Sequence, residues 1–199
     1  SGKTHLLQEL RHYGQQIVDL ECLARHKGSA FGGLGQKDQP ANEQFENMLG
    51  MEFMRFDFNR PVWVEDESRA IGHVFIPAGL YARMQAALTI CLEVPRQKRV
   101  SLLIEEYASH SPVLLKESLL RIQRRLGGLQ VRQALAALDA CDYALAAEIV
   151  LQYYDKMYDY DILQRDQARV FHMNLTDPLA GDAVKKLFDF AATIHAEQN

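Results

Sequence analysis

Ser1-Gly2-Lys3-Thr4-His5-Leu6-Leu7-Gln8-Glu9-Leu10 decides how the rest of the chain is read. A loop that cradles phosphates has the pattern G-x-x-x-x-G-K-[ST], set after a strand and before a helix. Gly2-Lys3-Thr4 is the back half of that pattern, and the leucines after it begin an amphipathic helix. In such a loop Lys3 reaches the terminal phosphates as a cation. The Thr4 hydroxyl binds Mg2+, and the first N–H groups of the helix add donors and positive dipole. Alone, the tripeptide reads equally as a helix start with a solvated lysine. The glycine-rich front half and its strand do not stand in this sequence, so an excerpt of a longer polypeptide is expected. In such sheets the strand before the loop is central, and its two neighbours depend on it for hydrogen bonds.

Outward from that helix, strand and helix signals alternate. Residues 16–20 read as a short buried strand, and 26–40 as a polar, glycine-rich loop. A helix is expected over residues 42–56, with Phe45, Met48, Leu49 and Phe53 on one face. Pro61-Val62-Trp63-Val64 is a strand that runs into Glu65-Asp66-Glu67. Residues 79–87 read as helix and 88–92 as strand. From 97 to about 155 only helical patterns occur, broken at Ser111-Pro112 and Gly127-Gly128. A strand returns at 169–173, and an amphipathic helix at 183–196 turns Leu187, Phe190, Ala191 and Ile194 inward.

The alternation predicts an α/β fold: a P-loop NTPase-like parallel sheet with flanking helices and an all-helical insert before the last strand. The expected organisation is a core over 1–95, a helical insert or lid over 96–165, and the last strand and helix over 166–199. The chain has 199 residues, of which 48% are hydrophobic, enough for a sizeable core. No run approaches the roughly 20 apolar residues of a membrane span, and no signal peptide is visible. Cys22, Cys91 and Cys141 are far apart, which fits a reducing cytoplasm and disfavours a cysteine-based zinc site. The net charge of −4 does not exclude a nucleic-acid partner, because a local basic face matters more than the sum.

Five groups of residues are candidates for chemistry. Gly2, Lys3 and Thr4 are the first. The second is the acidic strand end, where a Mg2+ ligand belongs because this hard ion takes oxygen donors beside phosphates. Asp66 is the first choice there and Glu65 the second, with Arg69 as the arginine near the three acids. The third is Arg25-His26-Lys27-Gly28-Ser29, where Lys27, Gly28 and Ser29 suit a backbone close to an anion. His26 is its candidate general acid or base. The fourth is Pro95-Arg96-Gln97-Lys98-Arg99, whose Arg96 and Arg99 are placed to close over phosphates. The fifth is Arg121, Arg124, Arg125 and Arg132 in the helical region, a candidate face for nucleic-acid phosphates. Each of these last four also fits an ordinary solvated surface. No nucleophile stands out.

Several phrases taken together resemble one family. They are Asp19-Leu20-Glu21-Cys22-Leu23-Ala24, His26-Lys27-Gly28-Ser29-Ala30-Phe31-Gly32, Gln39-Pro40 and Phe45-Glu46-Asn47, with Val64-Glu65-Asp66-Glu67-Ser68-Arg69-Ala70-Ile71-Gly72. Tyr153-Tyr154-Asp155-Lys156-Met157-Tyr158 belongs to the same set. The resemblance is to the P-loop domain of bacterial tRNA 2-selenouridine synthase, and it covers nearly the whole chain. Cys22 stands where that family usually has glycine, Lys27 where arginine is common, and Ala41 in place of a small hydroxyl residue.

The resemblance implies a two-domain transferase in which a rhodanese-like domain with a catalytic cysteine precedes the P-loop domain. It implies a tRNA substrate, whose wobble 2-thiouridine exchanges sulfur for selenium. Selenophosphate is the implied donor, and a geranyl group from geranyl diphosphate makes the sulfur a better leaving group. The residues it carries over are Gly2, Lys3, Thr4, residues 26–29 and residues 65–69. Two other readings stay open: a small-molecule kinase or NTPase that binds ATP or GTP, and a non-catalytic tRNA-binding module.

Overall fold

The computed structural model describes residues 2–197; Ser1, read above as part of the phosphate loop, lies outside the described residues. The chain begins with helix α1 (Lys3–His12), strand β1 (Gln16–Val18), the short helix α2 (Leu20–Ala24) and helix α3 (Asn42–Phe53). Strand β2 (Val62–Val64), a hairpin of β3 (Ala70–Ile71) and β4 (Val74–Phe75), helix α4 (Ala78–Ala86) and strand β5 (Thr89–Glu93) follow. Five helices come next: α5 (Arg96–Tyr107), α6 (Pro112–Arg121), α7 (Gln123–Leu126), α8 (Gly128–Asp139) and α9 (Tyr143–Leu163). Strand β6 (Val170–Asn174) and helix α10 (Ala183–Glu197) close the described chain.

The fold is mixed α/β with parallel strands. β1 pairs with β2 in parallel, placing Ile17 opposite Trp63 and Val18 opposite Val64. β5 pairs with β6 in parallel over five positions, from Thr89 opposite Val170 to Glu93 opposite Asn174. The α5–α9 region is therefore one long crossover between two neighbouring strands, as a parallel connection requires. Among the described residues the two parallel pairs are not hydrogen-bonded to one another. Side chains join them instead: Leu6, Leu10, Ile17, Val94, Met173 and Leu187 share one core, with Trp63 and Ile90 packed against it.

A second core gathers Val18, Leu20, Phe45, Leu49, Ile71, Val74 and Ile76 between α2, α3 and the hairpin. The third belongs to the helices α6–α9 and contains Leu115, Leu119, Leu126, Ala134 and Ile149. Leu187, Ala191 and Ile194 of α10 are buried at the spacing of one helical face, and Phe190 is half-buried beside them.

Several boundaries differ from the sequence reading for local reasons. The strand expected over 16–20 stops at Val18, because the Asp19 carboxylate accepts from Cys22 N at 2.8 Å and caps α2. The helix expected to reach Phe56 ends at Phe53, where Phe53 and Phe56 stack edge-on across the turn. The helical stretch expected between the breaks at Ser111-Pro112 and Gly127-Gly128 is divided at Ile122 into α6 and α7. The β3–β4 hairpin was not anticipated. Its signal is the two-residue turn Gly72-His73, where Gly72 takes φ +62.

Candidate functional site

The first turn of α1 enters the site with its lysine and threonine. Gly2 adopts φ +84 ahead of that turn, a conformation that L side chains resist, and Pro178 packs where a Cβ would stand. Lys3 Nζ donates to Glu21 Oε1 at 2.9 Å and to Glu67 Oε1. Thr4 Oγ1 donates to Glu21 Oε2 at 2.9 Å. Glu21 stands in α2 just past β1, and Glu67 just past β2, so the C-terminal ends of two paired strands deliver both carboxylates. Neither was singled out from sequence for this contact. The signal in the sequence is position, an acid just beyond an apolar strand, which Glu21 shares with the Glu65-Asp66-Glu67 run.

Glu65 is 5% exposed, accepts from Glu21 N at 2.9 Å, and keeps its Oε2 buried without a partner among the described residues. Burial pushes its pKa up to about 8. Burial also pushes Glu67 up to about 7, against the pull of the Lys3 ammonium. For Glu21 burial would raise the pKa, but Lys3 and its hydrogen bonds hold it below the ordinary carboxylate value. Burial alone would lower the pKa of Lys3, and the Glu67 and Glu21 carboxylates overturn that and hold it above its usual range.

The loop after α2 folds back over this cluster. Lys27 N donates to Gly32 O at 3.0 Å and Gly32 N to Ser29 O at 2.9 Å, closing a tight turn. Ala30 N donates to Tyr154 Oη at 2.9 Å, which ties the turn to α9. Gly28 has φ +68 and lies against the Glu67 carboxylate where a side chain would stand. Lys27 pairs with Glu106 and lies 5.9 Å from the centre of the Tyr107 ring.

A cavity of about 360 Å3 opens at this cluster. Lys3, Thr4, Glu21, Lys27, Ser29 and Arg99 line its mouth. Its depth is apolar and runs into the helical region, between Leu102 of α5, Leu115 and Leu119 of α6, and Ala134 and Leu138 of α8. α9 supplies the remaining wall with Ala146, Ala147, Val150 and Leu151. One volume therefore joins a hydrogen-bonding end, where Lys3, Lys27 and Arg99 are ion-paired and Glu21 and Glu106 also line the wall, to an apolar one.

The residues expected from sequence divide between this cavity and the surface. Gly2, Lys3, Thr4, Lys27, Ser29 and Arg99 line the cavity; Gly28 stands behind it against Glu67. Arg99 and Arg96 share Asp155 on α9, and Arg96, at 3.4 Å from it, stays outside the lining. Arg69 was expected beside the acids, but its side chain is exposed and the arginine on Asp66 is Arg165. Arg165 reaches there because it is 6% exposed and also donates to Met84 O at 3.1 Å and Thr89 Oγ1 at 2.8 Å. Asp66, the first choice as metal ligand, thus faces Arg165, while the acid that meets Thr4 is Glu21.

His26 does not line the cavity. Its Nδ1 is buried without a partner among the described residues, and burial holds its pKa below the ordinary 6.5. Arg121, Arg124, Arg125 and Arg132 are all exposed on α6, α7 and α8. Cys22 and Cys141 are exposed, and all three cysteines are free. No helix of the described residues is long and apolar enough to cross a membrane. No group of three or more His, Cys, Asp or Glu among the described residues is arranged to hold a metal ion.

Residues 1–180 match the family described as the tRNA 2-selenouridine synthase AAA domain. The chain belongs to this family. Proteins named tRNA 2-selenouridine synthase resemble it throughout. That of Hydrogenovibrio crunogenus is 34% identical in an alignment 193 residues long that covers 85% of this chain and 52% of the relative. That of Bordetella bronchiseptica is 33% identical over 215 residues, covering 91% of this chain and 57% of the relative. That of Nitrosomonas eutropha is 40% identical over a shorter 116 residues, 57% of this chain and 29% of the relative. The chain spans about half the length of these curated relatives. No solved structure matches it.

Proposed function

We propose that this chain is the diphosphate-binding and tRNA-engaging part of a tRNA 2-selenouridine synthase, and that it holds geranyl diphosphate as substrate. The observation that carries the reading is one cavity with ion-paired lysines, an arginine and hydroxyls at one end and apolar walls at the other, where a diphosphate would take over the cations from their carboxylate partners. A diphosphate needs charge-assisted donors, which Lys3, Lys27 and Arg99 offer together with the Thr4 and Ser29 hydroxyls. An isoprenoid chain needs a dry apolar wall, which α5, α6, α8 and α9 offer. A nucleotide kinase shares the polar end, but the walls of α5, α6, α8 and α9 are mainly aliphatic, and tyrosine hydroxyls are the main groups they offer to the polar base and ribose of ATP or GTP.

In the proposed reaction the thiouridine sulfur attacks C1 of the geranyl chain, the C1–O bond breaks, and the diphosphate leaves. Lys3, Lys27 and Arg99 neutralise the charge that gathers on the leaving oxygens. The selenium of selenophosphate then attacks the nucleoside C2, the geranyl thiol departs with a proton, and water cleaves the Se–P bond to leave selenouridine and inorganic phosphate. A rhodanese-like domain with a catalytic cysteine, in the same polypeptide, belongs to this proposal as the site of selenium transfer.

The donors around Lys3 fit Mg2+. They are hard oxygens, and Glu65 Oε2 is buried, without a partner among the described residues, beside Glu21. Mg2+ usually takes one or two carboxylates and completes its shell with substrate phosphates and water, so a three-carboxylate cage is not required. Thr4, with Glu21 and Glu65, would hold it, and it would supply charge neutralisation to the diphosphate.

The experiment is a calorimetric titration of geranyl diphosphate into the whole natural polypeptide and its Lys3→Ala variant. A lost charge-assisted contact of about 1.5–3 kcal/mol predicts at least a tenfold weaker ligand. Equal affinity in the two proteins, with geranylated tRNA formed at the same rate, refutes the assignment.

A further inference from the structure

We propose that Ala147 on α9 sets the length of prenyl chain that the cavity accepts, with Tyr143 closing the channel one turn deeper. This rests on the prenyl-diphosphate reading of the same cavity. Among the lining residues of α9, Tyr158, Tyr154, Val150, Ala147 and Tyr143 recur every three or four positions, with Ala146 and Leu151 flanking them. That spacing places them on one face, so the channel runs lengthwise along the helix.

The direction of the channel follows from what each end of α9 touches. Tyr158 lies within electrostatic reach of Lys3, Tyr154 Oη accepts from Ala30 of the phosphate-side loop, and Asp155 holds Arg99. The C-terminal half of α9 is therefore at the mouth, and Tyr143 is the deepest of its lining residues. At the helical rise, Ala147 stands about 16 Å from Tyr158 and Tyr143 about 22 Å from it. With standard bond lengths an extended geranyl diphosphate is about 15 Å long, a dimethylallyl diphosphate about 10 Å, and a farnesyl diphosphate about 20 Å. The second isoprene unit thus ends at the level of Ala147.

The side chains at that level are small. Ala147 has Ala146 beside it on α9, and the neighbouring helix α8 contributes Ala134, which is fully buried, to the same lining. α8 and α9 are joined by the short turn Ala140-Cys141-Asp142, so they run antiparallel, and Leu138 sits opposite the start of α9. The channel is therefore open where alanines line it and narrows where Leu138 and Tyr143 begin. A larger side chain at 147 would occupy the place of the second isoprene unit and leave the first untouched. A smaller one at 143 would lengthen the channel.

The test titrates inorganic pyrophosphate and the dimethylallyl, geranyl and farnesyl diphosphates into the whole natural polypeptide. The wild type is expected to hold geranyl diphosphate tightest. Ala147→Phe is expected to weaken geranyl diphosphate at least tenfold while dimethylallyl diphosphate and pyrophosphate stay within about twofold. Tyr143→Ala is expected to tighten farnesyl diphosphate several-fold without changing pyrophosphate. Should Ala147→Phe fail to fold, judged by its melting curve, the Tyr143→Ala result decides alone. A wild type that binds geranyl diphosphate no tighter than pyrophosphate removes the prenyl reading itself. A wild type that prefers geranyl, with variants that keep its order of chain lengths or weaken every ligand equally, overturns the gauge and leaves that reading standing.

Discussion

Glu65 is the residue whose environment departs furthest from that of a free carboxyl. Its side chain is 5% exposed, one oxygen has no partner among the described residues, and its pKa is raised from 4.5 to about 8. The linkage is that of a raised carboxyl. Below pH 4.5 both folded and unfolded chains carry the proton, and the native environment is fully favourable. Between 4.5 and about 8 the unfolded chain ionises while the folded one stays neutral, so stability is lost as pH rises through that window. Glu65→Gln removes this dependence, because an amide cannot ionise and its Oε1 still accepts from Glu21 N. Thermal melts without divalent cations at pH 5 and pH 8 are expected to show the variant gaining on the wild type at pH 8. Glu67 has the same sign and remains in both proteins, so only the difference between the two counts. Parallel shifts of wild type and variant would mean that Glu65 is ionised in the fold.

At the scale of elements, Arg165 joins pieces that the backbone leaves apart. It stands just past α9 and donates to the last turn of α4 at Met84 O, to the start of β5 at Thr89 Oγ1, and to Asp66 beyond β2. Hydrogen bonds to a charged, buried donor of this kind contribute about 1.5–3 kcal/mol, against 0–1 kcal/mol for an exposed ion pair. Arg165→Ala is therefore expected to cost about 1.5–3 kcal/mol in urea unfolding. Arg69→Ala, at an exposed site, is expected to stay within about 0.5 kcal/mol of wild type. The reverse order of the two variants would show that Arg69 is the arginine that serves the acidic strand end.

Over the whole molecule, the net charge of −4 and the exposed arginines of the helical region divide the surface. If tRNA engages the face that carries Arg121, Arg124 and Arg125, its phosphates displace counterions and the affinity falls steeply with salt. Reversing charge at these three positions is expected to weaken tRNA binding and to flatten the salt slope by about 0.7–0.9 per lost contact. Geranyl diphosphate affinity should not change, because none of the three lines the cavity. The check is a set of tRNA-binding isotherms at several salt concentrations beside a diphosphate titration. An unaltered slope would assign these arginines to solvent and tRNA to another surface.

Whatever depends on neighbours along the chain was determined by the sequence alone. The leucines of α1, the inward face of α10, the apolar runs of β2, β5 and β6, and the helical stretch between the last two strands could be read from their period. So could Lys3 and Thr4, because a phosphate loop is a local pattern. Only the tertiary structure decided the partners of those residues. Glu21 and Glu67 meet Lys3 from 18 and 64 positions away, and Arg165 displaces the nearer Arg69 at Asp66 from 99 positions away. The apolar end of the cavity belongs to the same class, since α5, α6, α8 and α9 each supply a part of it. Periodicity states which face of a helix is apolar, and it is the packing of several faces around one volume that states what they enclose.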